Sequence, residues 1–472
     1  MKVEQIYTGC IAHAAYYIEN NGEAAIFDPL REVQPYIDRA NKDNAKIKYV
    51  FETHFHADFV SGHLDLKAKT GAEIVFGPTA KPGYEATVAT DGQVFDLGNY
   101  KIKVIHTPGH TMESSTYLLI DENGKEHGII SGDTLFIGDV GRPDLAQHVI
   151  AELTQDKLAR HLYHSLREKI MPLSDDLIVY PNHGAGSACG KNMSKETTDT
   201  LGNQKRTNYA LRPDMTEDEF VEELLTGLTT PPGYFPKNVL MNLKGYESLD
   251  KVLEKAKHPL TADQFEVISE RKDVIILDTR NATDFAVAFI PNSINIGIDG
   301  SFASWVGEII SDINQKIVLV TESGREEECM IRLSRVGYDH TIGYLEGGFE
   351  NWKKAGKQID SLRRISGEQL EQMLATEELS LFDVRKQSEF DSEHLVSSKN
   401  IPLNQLNYNL EVFPKDKLFV IYCAGGYRSM IAASILKQNG YENFVDVSGG
   451  FSEIAKVTKL PKTAYVCPSS ML

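Results

Sequence analysis

Thr53-His54-Phe55-His56-Ala57-Asp58-Phe59 sets two imidazoles and a carboxylate close together in the chain. Imidazole nitrogens and carboxylate oxygens are the donors that hold zinc or non-haem iron, so this stretch reads as part of a metal site. Three more segments carry the same donor types: Thr107-Pro108-Gly109-His110-Thr111, Ser131-Gly132-Asp133 and Tyr180-Pro181-Asn182-His183. His54, His56 and His110 would suit zinc, which takes three protein ligands plus a water. His54, His110 and Asp133 would suit ferrous iron on a two-histidine, one-carboxylate face with open positions. Residue type alone leaves both sets standing.

A different chemistry is written later in the chain, in Cys423-Ala424-Gly425-Gly426-Tyr427-Arg428-Ser429. The glycines let such a loop curl its backbone N–H groups around the cysteine sulfur at a helix N-terminus, and Arg428 adds positive charge. A cradle of this kind stabilises a thiolate and, after sulfur uptake, the outer sulfur of a persulfide. Cys423 and Arg428 are the candidate catalytic pair, and Ala424, Gly425, Gly426 and Tyr427 the candidate persulfide-binding loop. The plainer alternative is a buried thiol at a strand end.

Apolar runs precede most of these groups: residues 47–51 before the first motif, 128–130 before Asp133, 177–180 before His183 and 418–422 before Cys423. Each reads as a buried strand that delivers its motif to a sheet end. Thr216, with Glu219 three residues on, reads as a helix start, and residues 229–233, Thr-Thr-Pro-Pro-Gly, as a breaker.

From about residue 258 the sequence repeats. Asp278-Thr279-Arg280 matches Asp383-Val384-Arg385, and Leu345-Glu346-Gly347-Gly348-Phe349 matches Val447-Ser448-Gly449-Gly450-Phe451. Two tandem domains, each alternating short strands with helices around a parallel sheet, follow from that pattern. In the first copy Thr321 stands where the second has Cys423, and Glu322, Glu326 and Glu327 would repel a sulfur anion. That copy is expected to be catalytically inert, a spacer or docking unit. The expected domains are 1–257, 258–362 and 363–472.

Hydrophobic content of 41% and charged content of 25% describe a folded chain with ample core. The net charge of −18 disfavours nucleic acid and anionic membranes as partners. No apolar run is long enough to span a bilayer, and the N-terminus lacks a signal peptide's apolar region. Five scattered cysteines do not make a disulfide framework, so a reducing cytoplasm is expected. Cys10 reads as strand core, Cys329 as a packed helical residue and Cys467 as part of a tail. Cys189, soon after His183, is placed to approach the metal donors. Its loop can hold substrate or its thiol accept a sulfane sulfur, against the plainer reading of a structural loop. Composition leaves homo-oligomerisation open.

The order His, His, Asp, His over these segments resembles the metallo-β-lactamase superfamily. In that superfamily's two-metal hydrolases the position of Phe59 is a histidine that binds the second metal, so the resemblance implies a single metal here. Gly141-Arg142-Pro143-Asp144 and Tyr163-His164-Ser165-Leu166 are similar to segments of the persulfide dioxygenases, although well-known members of that branch also keep a histidine at the Phe59 position. This resemblance implies Fe(II), one per chain, held by His54, His110 and Asp133. His56, Asp58 and His183 would orient the ligands and water, with Arg142 and Cys189 beside the substrate. The two repeats resemble rhodanese domains through Asp-x-Arg, the loop from Cys423 to Arg428 and the late Gly-Gly-Phe. Together they imply an α/β chain: a metallo-β-lactamase αββα sandwich followed by two rhodanese-like α/β domains. Its overall likeness is to bacterial dioxygenase–rhodanese fusions of sulfide detoxification. Expected partners are a thiol persulfide of the glutathione, coenzyme A or bacillithiol type, O2, and sulfite or thiosulfate, with no nucleic acid and no membrane. A zinc-dependent thioester hydrolase and a non-enzymatic sulfur relay are the alternatives.

Overall fold

The computed structural model describes residues 1–145, 154–191, 193–228 and 230–466; Cys467 and the rest of the expected tail lie outside the described residues, as does Thr229 of the breaker. The described chain forms two compact units. One comprises Met1–Val252 with Ser311–Ile313 and Ile331–Tyr338, and the other takes the remainder from Leu253.

In the first unit β1 (Val3–Thr8), β2 (His13–Asn20), β3 (Glu23–Phe27), β4 (Lys46–Phe51), β5 (Glu73–Phe76) and β6 (Thr87–Val88) form one sheet in that order. A second sheet runs β7 (Val94–Leu97), β8 (Tyr100–His106), β9 (Ser115–Ile120), β10 (Glu126–Gly132), β11 (Ile178–Pro181) and β12 (Asp199–Thr200). Side chains alternate across a strand, so a strand buried on both faces divides its residues between two cores. Ala14, Tyr16 and Ile18 of β2 and Phe51 of β4 meet Val104, Tyr117 and Ile130 of the other sheet. Their neighbours Ala15, Tyr17, Ile47 and Val50 pack instead on the helices Gln34–Lys42 and His63–Thr70. On the far side Ile105, Leu118, Ile129 and Val179 support the helices Gln155–His164 and Glu217–Leu225. The result is the expected αββα sandwich.

Glycine shapes the strand end that carries Asp133. Pairing of β10 with β11 slips between Ile130 and Gly132. Gly132 has φ +56°, and a Cβ there would lie 2.6 Å from the Thr53 side chain. Only glycine therefore lets the strand end bearing Asp133 close on the one bearing His54.

The second unit holds two parallel sheets of identical strand order. β13 (Pro259–Leu260), β14 (Val274–Asp278), β15 (Ile294–Asn295), β16 (Lys316–Val320) and β17 (Thr341–Leu345) lie as β13-β17-β16-β14-β15. β18 (Arg364–Ile365), β19 (Ser380–Asp383), β20 (Ser398–Asn400), β21 (Phe419–Tyr422) and β22 (Phe444–Val447) repeat it as β18-β22-β21-β19-β20. The sequence repeat is thus a repeat of folds.

Cys10 departs from expectation. It lies in the turn between β1 and β2 and is only partly buried, because the chain reverses there before His13 enters the sheet. Cys329 lies buried in the helix Glu326–Arg335. No helix among the described residues is long and apolar enough to cross a membrane.

Candidate functional site

His54 follows β4, His110 sits on the turn after β8 and Asp133 follows β10, so three strand ends converge. Ligand-type atoms of His54, His110 and Asp133 lie within 4.8 Å of one another, all buried. Asp133 Oδ2 is 3.5 Å from His110 Nε2 and 4.0 Å from His54 Nε2. Second hydrogen bonds turn both imidazoles. His110 Nδ1–H donates to the Arg142 carbonyl at 2.8 Å, and His54 Nδ1 meets Thr53 Oγ1 at 3.0 Å, with Thr53 Oγ1 donating to Asp28 at 3.2 Å. Each leaves its Nε2 lone pair facing Asp133. Burial, with His56, His110 and His183 nearby, holds His54 well below the usual imidazole range, which keeps it a neutral donor.

The carboxylate is built for a cation. Neither Asp133 oxygen has a hydrogen-bond partner, and Asp58 Oδ1 and His183 Nε2 are likewise buried without one. Buried polar atoms are rarely left unpaired because each costs of the order of 1–3 kcal/mol. A metal ion resolves this cluster of orphans, and the donor set fits one.

His183 and Asp58 stand beside the triad. His183 Nε2 is 3.6 Å from Asp133 Oδ1 and 3.5 Å from Asp58 Oδ2, and Nδ1–H donates to the Ala12 carbonyl. Asp58, His183 and Cys189 form a second buried group whose ligand-type atoms lie within 4.8 Å of one another. Burial, with Asp58 and Asp133 close by, pushes the Cys189 thiol well up. Phe59, fully buried, stacks on His56 with ring centroids 4.3 Å apart and lies 4.2 Å from His13. Arg142 is bound by Asp144 through two bonds of 2.6 Å, and its amide donates to the Cys189 carbonyl at 2.9 Å. It braces the loop that carries Cys189.

His56 belongs to a network that reading the motif alone missed. Its Nε2 lies 2.9 Å from Asp28 and 3.3 Å from Glu52, and Glu52 also meets His63 at 3.3 Å. Burial opposes a charge there, yet Asp28 and Glu52 hold the His56 imidazolium well above its usual range. Asp28 also accepts from the Thr53 amide at 2.7 Å, and Asn242 donates to the carbonyls of His56 and Phe59 at 2.8 Å. Asp28 carried a legible signal, since it follows an apolar strand as Asp133 does. Asn242 carried none.

In the second unit Cys423 follows β21, and the helix Tyr427–Gln438 begins within its loop. Gly426, at φ +95°, donates its amide to Cys423 Sγ at 3.1 Å. Cys423 is buried, and Gly425 is exposed at the loop's crest. The carbonyls of Cys423 and Ala424 accept from Phe451 and Ser452 of the late Gly-Gly-Phe segment. Arg428 differs from expectation in one respect. It also makes a two-pronged pair with Glu389 at 2.5 and 2.8 Å, and the hydrogen bond that meets the sulfur comes from the Gly426 amide. Tyr427 reaches out of the loop to donate to the Gly297 carbonyl of the first copy at 2.7 Å.

Comparison with known proteins identifies the domains that carry these residues. The metallo-β-lactamase superfamily model matches residues 8–183, and the rhodanese-like domain model matches residues 261–355 and 366–456. A solved metallo-β-lactamase from Staphylococcus aureus is 30% identical, with a TM-score of 0.63, over 73% of this chain and 99% of that one. A hydroxyacylglutathione hydrolase from Rhizobium etli is 35% identical over 169 residues, 35% of this chain and 58% of its own length. A probable metallo-hydrolase from Burkholderia pseudomallei is 28% identical over 262 residues, 47% of this chain and 84% of its own. The chain spans 58% of the length of the hydroxyacylglutathione hydrolases it matches from two Rhizobium species. The chain therefore belongs to the metallo-β-lactamase superfamily, with two rhodanese-like domains following the metal-binding fold.

Proposed function

We propose that the amino-terminal domain oxidises a low-molecular-weight thiol persulfide with O2 to sulfite, and that the Cys423 domain carries sulfane sulfur to or from thiosulfate. The observation that supports this most is the buried face of His54, His110 and Asp133, two imidazoles and one carboxylate with its oxygens unpaired. A ferrous ion held there would supply open coordination positions and the redox chemistry that joins a persulfide to O2. The reaction balances as RSSH + O2 + H2O giving RSH + sulfite + 2 H+.

The chain's own residues do the positioning. Thr53 and the Arg142 carbonyl hold His54 and His110 in the tautomer that ligates, and the salt-linked Arg142–Asp144 pair fixes the neighbouring loop. Phe59 offers no donor where a hydrolase carries one. At the second site the Gly426 amide steadies the sulfur of Cys423. A Cys423 persulfide gives its outer sulfur to sulfite: its S–S bond breaks, a new S–S bond forms in thiosulfate, and Cys423 departs as the thiolate. One chain holding both sites raises the effective concentration of one site's product at the other.

The test is anaerobic purification with metal analysis, then oxygen-electrode traces with glutathione, coenzyme A and bacillithiol persulfides. Iron near one equivalent and O2 uptake with at least one persulfide are expected. No uptake with all three by iron-loaded protein rejects the proposal.

A second reading has its own observation. Asp58, His183 and Cys189 could hold a second cation beside the first, the thiol standing in for the histidine lost at Phe59. Together with the hydroxyacylglutathione hydrolase relatives, that favours a two-metal thioester hydrolase. It requires two metal equivalents and thioester cleavage in air-free buffer, neither of which the first reading predicts.

A further inference from the structure

The first rhodanese copy has no cysteine at the nucleophile position, but it touches the residue that follows the sulfur loop's last glycine. Tyr427 is the first residue of the helix Tyr427–Gln438, directly after Gly426, whose amide donates to Cys423 Sγ. Its hydroxyl donates to the Gly297 carbonyl at 2.7 Å. Its ring lies where side chains of that copy would otherwise be. A Cβ on Gly300 would sit 2.3 Å from the ring's Cε2 and 2.4 Å from Cζ, and one on Gly297 would sit 3.3 Å from Cε2. Neither glycine has a left-handed φ, so at Gly300 the ring, not backbone strain, is what excludes a side chain, while at Gly297 a Cβ would press equally on the ring and on the Arg280 carbonyl, 3.3 Å away.

The same helix is tied to the first copy further along. Ser434 Oγ, buried, accepts from the Asn295 amide at 3.0 Å, and Gln438 donates to the Asn292 carbonyl at 3.1 Å. Arg364, whose Nε donates to the buried Asp446 at 2.9 Å, also reaches Thr283 of the first copy at 3.4 Å.

The first copy's own degenerate loop supports the slot from behind. Arg325 stands in that loop where the second copy has Tyr427, each one residue beyond a glycine of positive φ, +89° at Gly324 and +95° at Gly426. Arg325 donates to both oxygens of Asp299, at 2.7 and 2.9 Å, and Asp299 lies between Gly297 and Gly300. That ion pair faces solvent and contributes little to stability. Its consequence is geometric, because it orients the segment that receives the tyrosine ring.

We propose that the inert copy is a positioning element for the Cys423 loop, acting through a Gly297–Gly300 slot that seats Tyr427 and thereby fixes the Gly426 amide on the sulfur. Tyr427, Gly297 and Gly300 are positioning residues. The inference rests on Cys423 being the sulfur carrier, and the readouts separate the two.

The experiment compares full-length Gly300→Ala, Tyr427→Phe, Tyr427→Ala and the double variant Gly300→Ala/Tyr427→Ala. Cys423 alkylation is followed against pH by peptide mass spectrometry, alongside sulfur uptake from thiosulfate with kcat and KM resolved. Gly300→Ala is expected to slow alkylation and lower kcat by about tenfold, with the pH profile moved upward and metal content unchanged. Tyr427→Phe, which keeps the ring and loses one hydrogen bond, is expected to cost about threefold. Once the ring is gone, Gly300→Ala is expected to add nothing further, the non-additivity of two groups that share one contact.

Equal cost of Gly300→Ala with and without the ring overturns the proposal. So does Cys423 alkylation within about twofold of the native rate in both Gly300→Ala and Tyr427→Phe. If Gly300→Ala does not fold, Tyr427→Phe decides alone by the same alkylation criterion. Should the native chain take up no sulfur from thiosulfate, the carrier reading fails while alkylation still reports on the slot.

Discussion

The two rhodanese copies share a skeleton and differ most at the loop after the central strand, so together they separate what folds this domain from what the Cys423 loop adds to it. In each copy an arginine pairs with an aspartate two residues earlier and lies over the phenylalanine of the late Gly-Gly-Phe. Arg280 meets Asp278 at 2.6 Å with its guanidinium 4.0 Å from the Phe349 ring centre, and Arg385 meets Asp383 at 2.6 Å, 4.1 Å from Phe451. Each arginine also donates to a carbonyl after the following helix, Ala288 or Glu393. Asn295 and Asn400 repeat the same two bonds to the backbone of their clamp. Every one of these bonds ends on oxygen and serves the chain's own backbone or carboxylates. Its preservation in the copy that has Thr321 in place of the cysteine marks the clamp as structural.

At the loop the copies part. The Gly426 amide meets Cys423 Sγ, whereas the equivalent Gly324 amide is taken by the Glu326 carboxylate at 2.9 and 3.1 Å. Thr321, where the thiol would be, is buried with its hydroxyl unpaired. The loop of the first copy thus occupies its Gly324 amide with an internal carboxylate.

The largest break in this comparison is Cys423→Ser. Sulfur transfer is expected to fall by at least about a thousandfold, to the background of the first copy, because the nucleophile is gone. Thiosulfate:cyanide transfer measures it, and O2 uptake at the metal centre should be largely retained. If transfer persists, the first copy carries it and the contrast between the copies is wrong.

Arg280→Leu and Arg385→Leu probe what the copies share. Each leaves a buried aspartate without its counter-charge, with only a backbone amide bond remaining, and is expected to cost about 3–5 kcal/mol in denaturant unfolding, by similar amounts in the two copies. A cost confined to Arg385 would mean that the clamp serves the sulfur loop and not the fold.

A smaller effect sharpens the difference beneath the loop. In β22 the second copy buries Asp446, where β17 of the first has Tyr344. Burial pushes the Asp446 carboxyl up to about 6, against the pull of Ser429 and Arg364. A folded-state pKa above the unfolded value means the native state holds the proton more tightly. The contribution to stability is therefore full below about pH 4 and lost as pH rises to about 6. Asp446→Asn should remove that dependence, so the stability difference between native and variant chains shifts by up to about 3 kcal/mol across the window. Urea unfolding at several pH values checks both sign and span. An unchanged difference would put Asp446 outside the titrating set.

Much of this was legible from the residues because the signals were local. Apolar runs ending in His, Asp or Cys marked the strand ends, and Thr216 with Glu219 forms the anticipated capping box. The repeated Asp-x-Arg and Gly-Gly-Phe pointed to the tandem fold. What stayed hidden depends on pairing between distant segments. Asp28 reaches His56 only because β3 and β4 are adjacent in the sheet. Glu389 stayed hidden as the partner of Arg428, since nothing in the loop names it. Tyr427 read as a loop residue, and the glycines that receive it lie in the other copy.

The smallest effect is the most specific to the loop. Thr321→Cys places a thiol at the right point of the first copy, yet the Gly324 amide remains occupied and two further glutamates stay in the loop. In a Cys423→Ser background, the thiol should therefore take up sulfur from thiosulfate at no more than about 1% of the native rate. Adding Glu326→Gln removes the charge that holds the amide and leaves it freer to turn toward sulfur. A gain of about tenfold over Thr321→Cys alone is expected, about 1.4 kcal/mol, the scale of one hydrogen bond to a charged group. Persulfide on the introduced thiol, read by mass spectrometry of the intact chain after thiosulfate, measures the gain. If Glu326→Gln adds nothing, the cradle of the first copy is misshapen as well as filled, and the difference between the copies extends past that carboxylate into the backbone of the loop.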